Sequence, residues 1–273
     1  MVVTFLSILA AGMVFVSAVG PLEKTSWRFL RFVAFLAFAL SCLASVWILR
    51  RRPTTMSTNE LWSAVFGAVL CFSAAMNAVM APIAARRRGF FRLVGLIGGL
   101  AGLAAVSLAA PGRMGHDAGG RSLSEVVLGV TDFALSGFLL GGITVAWLLG
   151  HAYLTVTTMT IAPLRFYSRL LSWAIVVRSV FFLSSLILAW LLMDQTDTGQ
   201  SRVWAFLVDS WLIVSLRFGV GLVAVGLFAY MVADCVRLRS TQSATGILYF
   251  GSTFAYVGEL ASQHLTAQLG WPV

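Results

Sequence analysis

Apolar residues fill this chain in long blocks separated by short polar stretches, and each block has the roughly 20 residues that a helix needs to cross a bilayer. The blocks cover residues 2–19, 29–49, 61–83, 91–110, 123–149, 167–192, 203–233 and 245–265. They predict an all-α, polytopic integral membrane protein with about eight transmembrane helices and short loops. Helix punctuation agrees with several of the boundaries. Ser57-Thr58-Asn59-Glu60 and Ser122-Leu123-Ser124-Glu125 are capping-box patterns, and Pro82 and Pro111 stand at block ends. The first block begins at Val2 with no Lys or Arg before it to form the n-region of a signal peptide, so it is expected to stay as a helix.

Composition strengthens this reading. Of 273 residues 59% are hydrophobic and 11% charged, and mean hydropathy is +0.92, whereas soluble domains carry about 25% charged residues. Eight spans leave no room for a folded soluble domain, so the chain forms one transmembrane domain. Its halves are residues 1–110, with no Asp or Glu inside a span, and residues 111–273, with charges inside the membrane.

The net charge of +9 belongs mostly to Lys and Arg at the ends of blocks, where basic residues set orientation. No basic stripe is interleaved with aromatics, so nucleic acid is not an expected partner, whereas lipid is. Alternate loops differ in basic content. Lys24, Arg28, Arg31, Arg86, Arg87, Arg88, Arg92, Arg165, Arg169, Arg237 and Arg239 face one side, and Arg50, Arg51, Arg52, Arg113, Arg121 and Arg202 the other. Eleven against six puts the first set in the cytoplasm and both termini outside it, in what is expected to be a bacterial inner membrane. Asp117, Asp194 and Asp197 lie in the outer loops.

The two halves predict different chemistry. The fourth block holds Gly95 and Gly99 at small-xxx-small spacing, which lets helix backbones approach closely. Asn77 is the strongly polar residue of the first half, expected to hydrogen-bond a neighbouring helix. The second half places Asp132, Arg178, Arg217 and Glu259 in four successive spans. At 1.5 Å per residue, Arg217 falls near the midplane, Arg178 ~2 Å to its inner side, and Asp132 and Glu259 ~6 Å to its outer side. Asp209 lies near the outer end of its block. Charges at such depth usually face the bundle interior, pair with one another and mark function, so Arg178 or Arg217 is expected to pair with Asp132 or Glu259.

The last block adds a stripe. Thr245, Tyr249, Ser252, Tyr256, Glu259 and Gln263 recur at steps of three and four, along one helical face. Lipid cannot satisfy these groups, so the face must meet other helices or a wet cavity. It predicts either a network that handles protons and charge, with Asp132, Arg178, Arg217, Tyr256, Glu259 and Gln263 as members, or polar contacts that hold helices together.

Three cysteines, Cys42, Cys71 and Cys235, show no paired spacing for a metal or cluster and are expected to pack as small residues. His116 sits in a glycine-rich outer loop, and His264 at the outer end of the last block. His151 ends the fifth block at the inner surface, with Gly137, Gly141 and Thr144 leading to it, and Tyr153 follows two residues on. An aliphatic residue before such a histidine and Leu or Thr after it make a loose quinone-site pattern, in which the imidazole would donate to a quinone carbonyl. Quinone is thus the cofactor the pattern suggests. A haem held by two histidines is disfavoured, because His151 and His264 lie near opposite faces. No nucleophile elbow, P-loop or zinc-protease helix is present.

Eight short-looped spans, a polar second half and the stretch Tyr256-Val257-Gly258-Glu259-Leu260 resemble the membrane-anchor subunits of the polysulfide reductase and dimethyl sulfoxide reductase family. That resemblance implies a haem-free subunit that binds quinol between helices and passes electrons to an iron–sulfur partner, with Glu259 as a buried acid of the last helix. The expected function is then an integral, auxiliary subunit of a respiratory or electron-transfer complex, beside other membrane subunits and an iron–sulfur or cytochrome subunit. Two alternatives remain: a small proton-coupled transporter of an anionic solute, and a ligand-free membrane scaffold.

Overall fold

The computed structural model describes residues 1–50, 58–84, 86–109, 123–155, 160–193 and 202–272. Its regular elements are helical, with no strand among the described residues. They are α1 (Val2–Val19), α2 (Trp27–Arg50), α3 (Thr58–Met80), α4 (Arg88–Ala109), α5 (Leu123–Thr155), α6 (Ala162–Met193), α7 (Arg202–Asp209), α8 (Trp211–Ser215), α9 (Val225–Arg237) and α10 (Thr241–Leu269). A π-helical segment, Leu216–Ala224, joins α8 to α9 without a break. Ser57, Pro111, Ser122, His116 and the outer-loop residues Arg51, Arg52, Arg113, Arg121, Asp117, Asp194 and Asp197 lie outside the described residues.

Among the described residues, seven helices are long and apolar enough to cross a membrane, the run from Trp211 to Arg237 counting as one. This agrees with the all-α, polytopic reading of about eight spans. The eighth, α10, has 29 residues and so measures ~43 Å, ample for a crossing. Its polar face keeps it from qualifying on apolarity. The block 203–233 is also subdivided. At Ser210 the chain turns, with the Ile213 and Val214 amides both donating to the Ser210 carbonyl, and Asp209 is left exposed at the end of α7.

Packing sorts the helices into two groups of four. In the first, α1 packs against α2 and α4, and α3 against the same two helices. Small residues bring α4 close. A Cβ on Gly99 would stand 2.7 Å from the Phe15 Cβ, and one on Gly102 2.6 Å from the Ala11 Cβ, so both positions have room for hydrogen alone. Such approach is how helices gain van der Waals contact where lipid gives no hydrophobic drive. Asn77 departs from expectation: its amide is buried and neither polar atom has a hydrogen-bond partner. The tight approach of Gly95, where a Cβ would lie 3.1 Å from Asn77 Nδ2, brings backbone rather than an aligned acceptor to that amide.

The second group closes as a ring, α5 on α6, α6 on α9, α9 and the π segment on α10, and α10 back on α5. Helix α1 joins the two groups by packing against α5. There Gly12 meets Gly137 and Gly141 so closely that a Cβ on Gly12 or Gly141 would strike the other helix's backbone. The chain end locks onto α6. Gly270 ends α10 with φ of 72°, in the left-handed region that glycine adopts without strain. The turn brings Trp271 to donate from Nε1 to the Ser185 carbonyl at 3.1 Å, while the Ser185 hydroxyl donates to the Pro272 carbonyl.

Candidate functional site

All four intramembrane charges meet inside the second group of helices. Helix periodicity puts Asp132 and Ser136 one turn apart on α5, and Glu259 and Ser262 nearly so on α10. Arg178 reaches them from the middle of α6, and Arg217 from the second position of the π segment. The Arg178 guanidinium holds Glu259 through two parallel bonds, Nε to Oε1 and Nη2 to Oε2, both 3.0 Å. It also donates from Nη1 to Asp132 Oδ1 at 2.5 Å and from Nη2 to Ser262 Oγ at 3.0 Å. Arg217 Nη1 donates to Glu259 Oε1 at 2.8 Å, and the Ser136 hydroxyl to Oε2 at 2.7 Å. Glu259 and both arginines have no exposed surface, and the Asp132 side chain keeps 5%. Formal charges cancel. The pairing expected between arginines and acids is thus a single cluster in which Glu259 is shared.

The two arginines are not equivalent. Arg178 is engaged through all three of its nitrogens, and its guanidinium carbon lies 5.7 Å from the centre of the Phe181 ring. Arg217 makes one ion pair, and its Nε and Nη2 have no partner although the side chain is fully buried. A guanidinium has five N–H groups, and the three on Nε and Nη2 of Arg217 lack an acceptor. Its other neighbour is the Phe182 ring, 5.7 Å away. Gln263, one turn beyond Glu259 on α10, has both amide atoms buried and partnerless as well. Buried donors are nearly always satisfied, and an unmet one costs about 1 to 3 kcal/mol.

Backbone geometry explains how Arg217 reaches Glu259. Gly221, the fourth residue after Arg217, faces Gly258, the neighbour of Glu259, and a Cβ on Gly221 would lie 2.6 Å from the Gly258 Cα. This backbone-to-backbone contact brings the π segment against α10. Segments with i→i+5 bonding are rare and gather at functional sites.

Against family models, curated proteins and solved structures, this chain finds no match.

The polar stripe of α10 lies largely against α5. Thr144 and the Tyr256 hydroxyl are 2.8 Å apart, and the Tyr249 ring stands edge-on to Trp147 with centroids 5.0 Å apart. Tyr256 also meets Phe5 of α1 edge-on. The hydroxyls of Thr245 and Ser252 donate to carbonyls of their own helix, Thr241 and Tyr249. The stripe therefore divides into a helix–helix seam around Thr245 to Tyr256 and the ion cluster around Glu259.

His151 and Tyr153 are not brought together or to the cluster. Two residues apart on α5, they point to opposite sides. His151 is exposed, while Tyr153 is buried and donates to the Thr160 carbonyl at 2.5 Å. Along α5 they stand ~28 and ~32 Å from Asp132. The helix also continues to Thr155 rather than ending near His151. His264 is half-buried beside Gln263.

Ser136 and Ser262 belong to the site and were not singled out by sequence. Both lie a turn or less from an acid on the same helix, Asp132 and Glu259, and that spacing is the signal by which they were discoverable. The glycine contact had no such signal, because Gly221 and Gly258 are linked only by the tertiary fold.

Proposed function

We propose that the protein is a small proton-coupled carrier of an anionic solute, with Arg217 as the group that receives the solute. The observation that carries this reading is the set of unmet donors on Arg217, in a side chain with no exposed surface and an otherwise closed cluster. A planar fork of N–H groups suits a carboxylate or phosphate oxygen. Electroneutrality then calls for a proton. The cluster is formally neutral, so an added monoanion would leave an uncompensated buried charge. Asp132 is the carboxylate suited to accept the balancing proton, because it has one arginine contact, whereas Glu259 is held by Arg178, Arg217 and Ser136.

The test is thermal unfolding of the purified protein with a panel of small carboxylates and inorganic phosphate, then uptake of the best labelled anion into proteoliposomes under an imposed pH gradient. A ligand that binds only the folded state raises its stability. At least one anion is expected to do so in wild type and not in Arg217→Gln, and Asp132→Asn is expected to uncouple uptake from the pH gradient. If no anion separates wild type from Arg217→Gln, the carrier reading fails.

A second reading rests on topology and on the buried acid in Gly258-Glu259-Leu260. In it the chain is an inner-membrane subunit of a respiratory or electron-transfer complex, with a quinone held by either His151 or Tyr153. Co-purification with a cytochrome or iron–sulfur protein, and quinone in the lipid extract, would favour it over the carrier.

A further inference from the structure

We infer that the groove between α2 and α3 is a site for an anionic phospholipid. On α2, Arg28, Arg31, Phe32, Phe35 and Phe38 follow one face at helical spacing. On α3 they meet the short side chains Ala75 and Ala78, which leave an apolar groove of about 450 Å³. That volume lies within the roughly 300–1,000 Å³ of small-molecule sites. Arg28 and Arg31 stand at one end, on the first turns of α2, so the groove runs from a cationic mouth into an aromatic channel.

Both arginines are exposed, and neither forms an ion pair with a carboxylate among the described residues. The acid near them in sequence, Glu23, pairs instead with Arg88. Two uncompensated positive charges over an apolar slot complement a lipid phosphate with an acyl chain below it. Basic pockets between membrane helices bind anionic headgroups, each basic residue near the surface adding about 1 kcal/mol of attraction. A contrast within the molecule supports the assignment. The groove lined by Leu186, Ile187, Trp190, Val203, Trp204 and Leu207 has a similar volume, about 390 Å³, and no charged residue, so it has nothing with which to select a headgroup.

Native mass spectrometry of the purified full-length chain tests this with phosphatidylglycerol and phosphatidylcholine of the same acyl composition. Wild type should retain phosphatidylglycerol about tenfold better or more. The double variant Arg28→Gln/Arg31→Gln should lose that preference, and Ala78→Trp should reduce retention of both lipids by filling the slot. Soluble glycerol phosphate should not compete. Equal retention of the two lipids by wild type, or an unchanged preference in the double variant, would overturn the inference. Full competition by glycerol phosphate would overturn it as well, because the groove would then be a phosphate site with no role for the acyl chain.

Discussion

The two four-helix groups meet the same problem, holding helices together in a solvent that gives no hydrophobic drive, by different means. The first group does it with shape and serine hydroxyls: Gly99 and Gly102 of α4 accept Phe15 and Ala11 of α1, and Ser63 and Ser73 of α3 donate to the Ala105 and Val94 carbonyls of α4. Its buried amide, Asn77, contributes no hydrogen bond. The second group also has a glycine contact, Gly221 against Gly258, but there the close approach delivers Arg217 to Glu259. Because the first group coheres with no buried ion pair among its described residues, its one pair being the exposed Glu23–Arg88, four buried ionised side chains are not required for cohesion in this fold. Each costs about 2.5 to 3.5 kcal/mol to place at a helix centre, which is the reason for seeking their role in recognition.

Three experiments sharpen or break this contrast. The largest effect is expected from Glu259→Ala, which leaves two buried arginines short of their shared partner and should lower stability by about 3 to 5 kcal/mol, read as lost yield and a lower Tm in detergent. Replacing all four charges together, as Asp132→Leu/Arg178→Met/Arg217→Met/Glu259→Leu, should recover most of that loss, since apolar residues of similar volume often substitute for buried ion pairs without penalty. Failure of the fourfold variant to fold would mean that the charges are cohesive after all. Next, Gly99→Val and Gly258→Val should each cost about 1 to 3 kcal/mol through overpacking. Only the second should also change any anion-dependent shift in Tm, which the same melting curves reveal. The smallest effect is expected at Asn77→Leu, where removing a buried, partnerless amide should raise stability by about 1 kcal/mol. A fall in Tm would show that the amide has a use.

How far the fold could be read from the sequence follows from which interactions are local. Apolar block length marks each helix because a bilayer imposes a minimum on it, and the depth of a charge follows from its place in the block. That reasoning put Asp132, Arg178, Arg217 and Glu259 in one slab, and they meet there. It also marked the polar stripe of α10, which lowers that helix's apolarity and lies largely against α5 and the π segment. The π segment itself was not legible, and neither was its close contact between Gly221 and Gly258, which lie far apart in the chain. His151 and Tyr153 show the opposite limit. A pattern adjacent in sequence put them together, yet a two-residue step on a helix turns side chains to opposite sides.

The shared position of Glu259 bears on how the protein is made. Helices enter the membrane in the order of synthesis, and Asp132 and Arg178 can satisfy each other as soon as α5 and α6 are in place. Arg217 then arrives with no free acid of its own, and its partner comes with α10, the helix too polar to count as a span by apolarity. Helix α10, made after α5, α6 and the π segment, thus neutralises a charge already waiting in the bilayer, and that waiting charge gives a sparingly apolar helix a reason to enter.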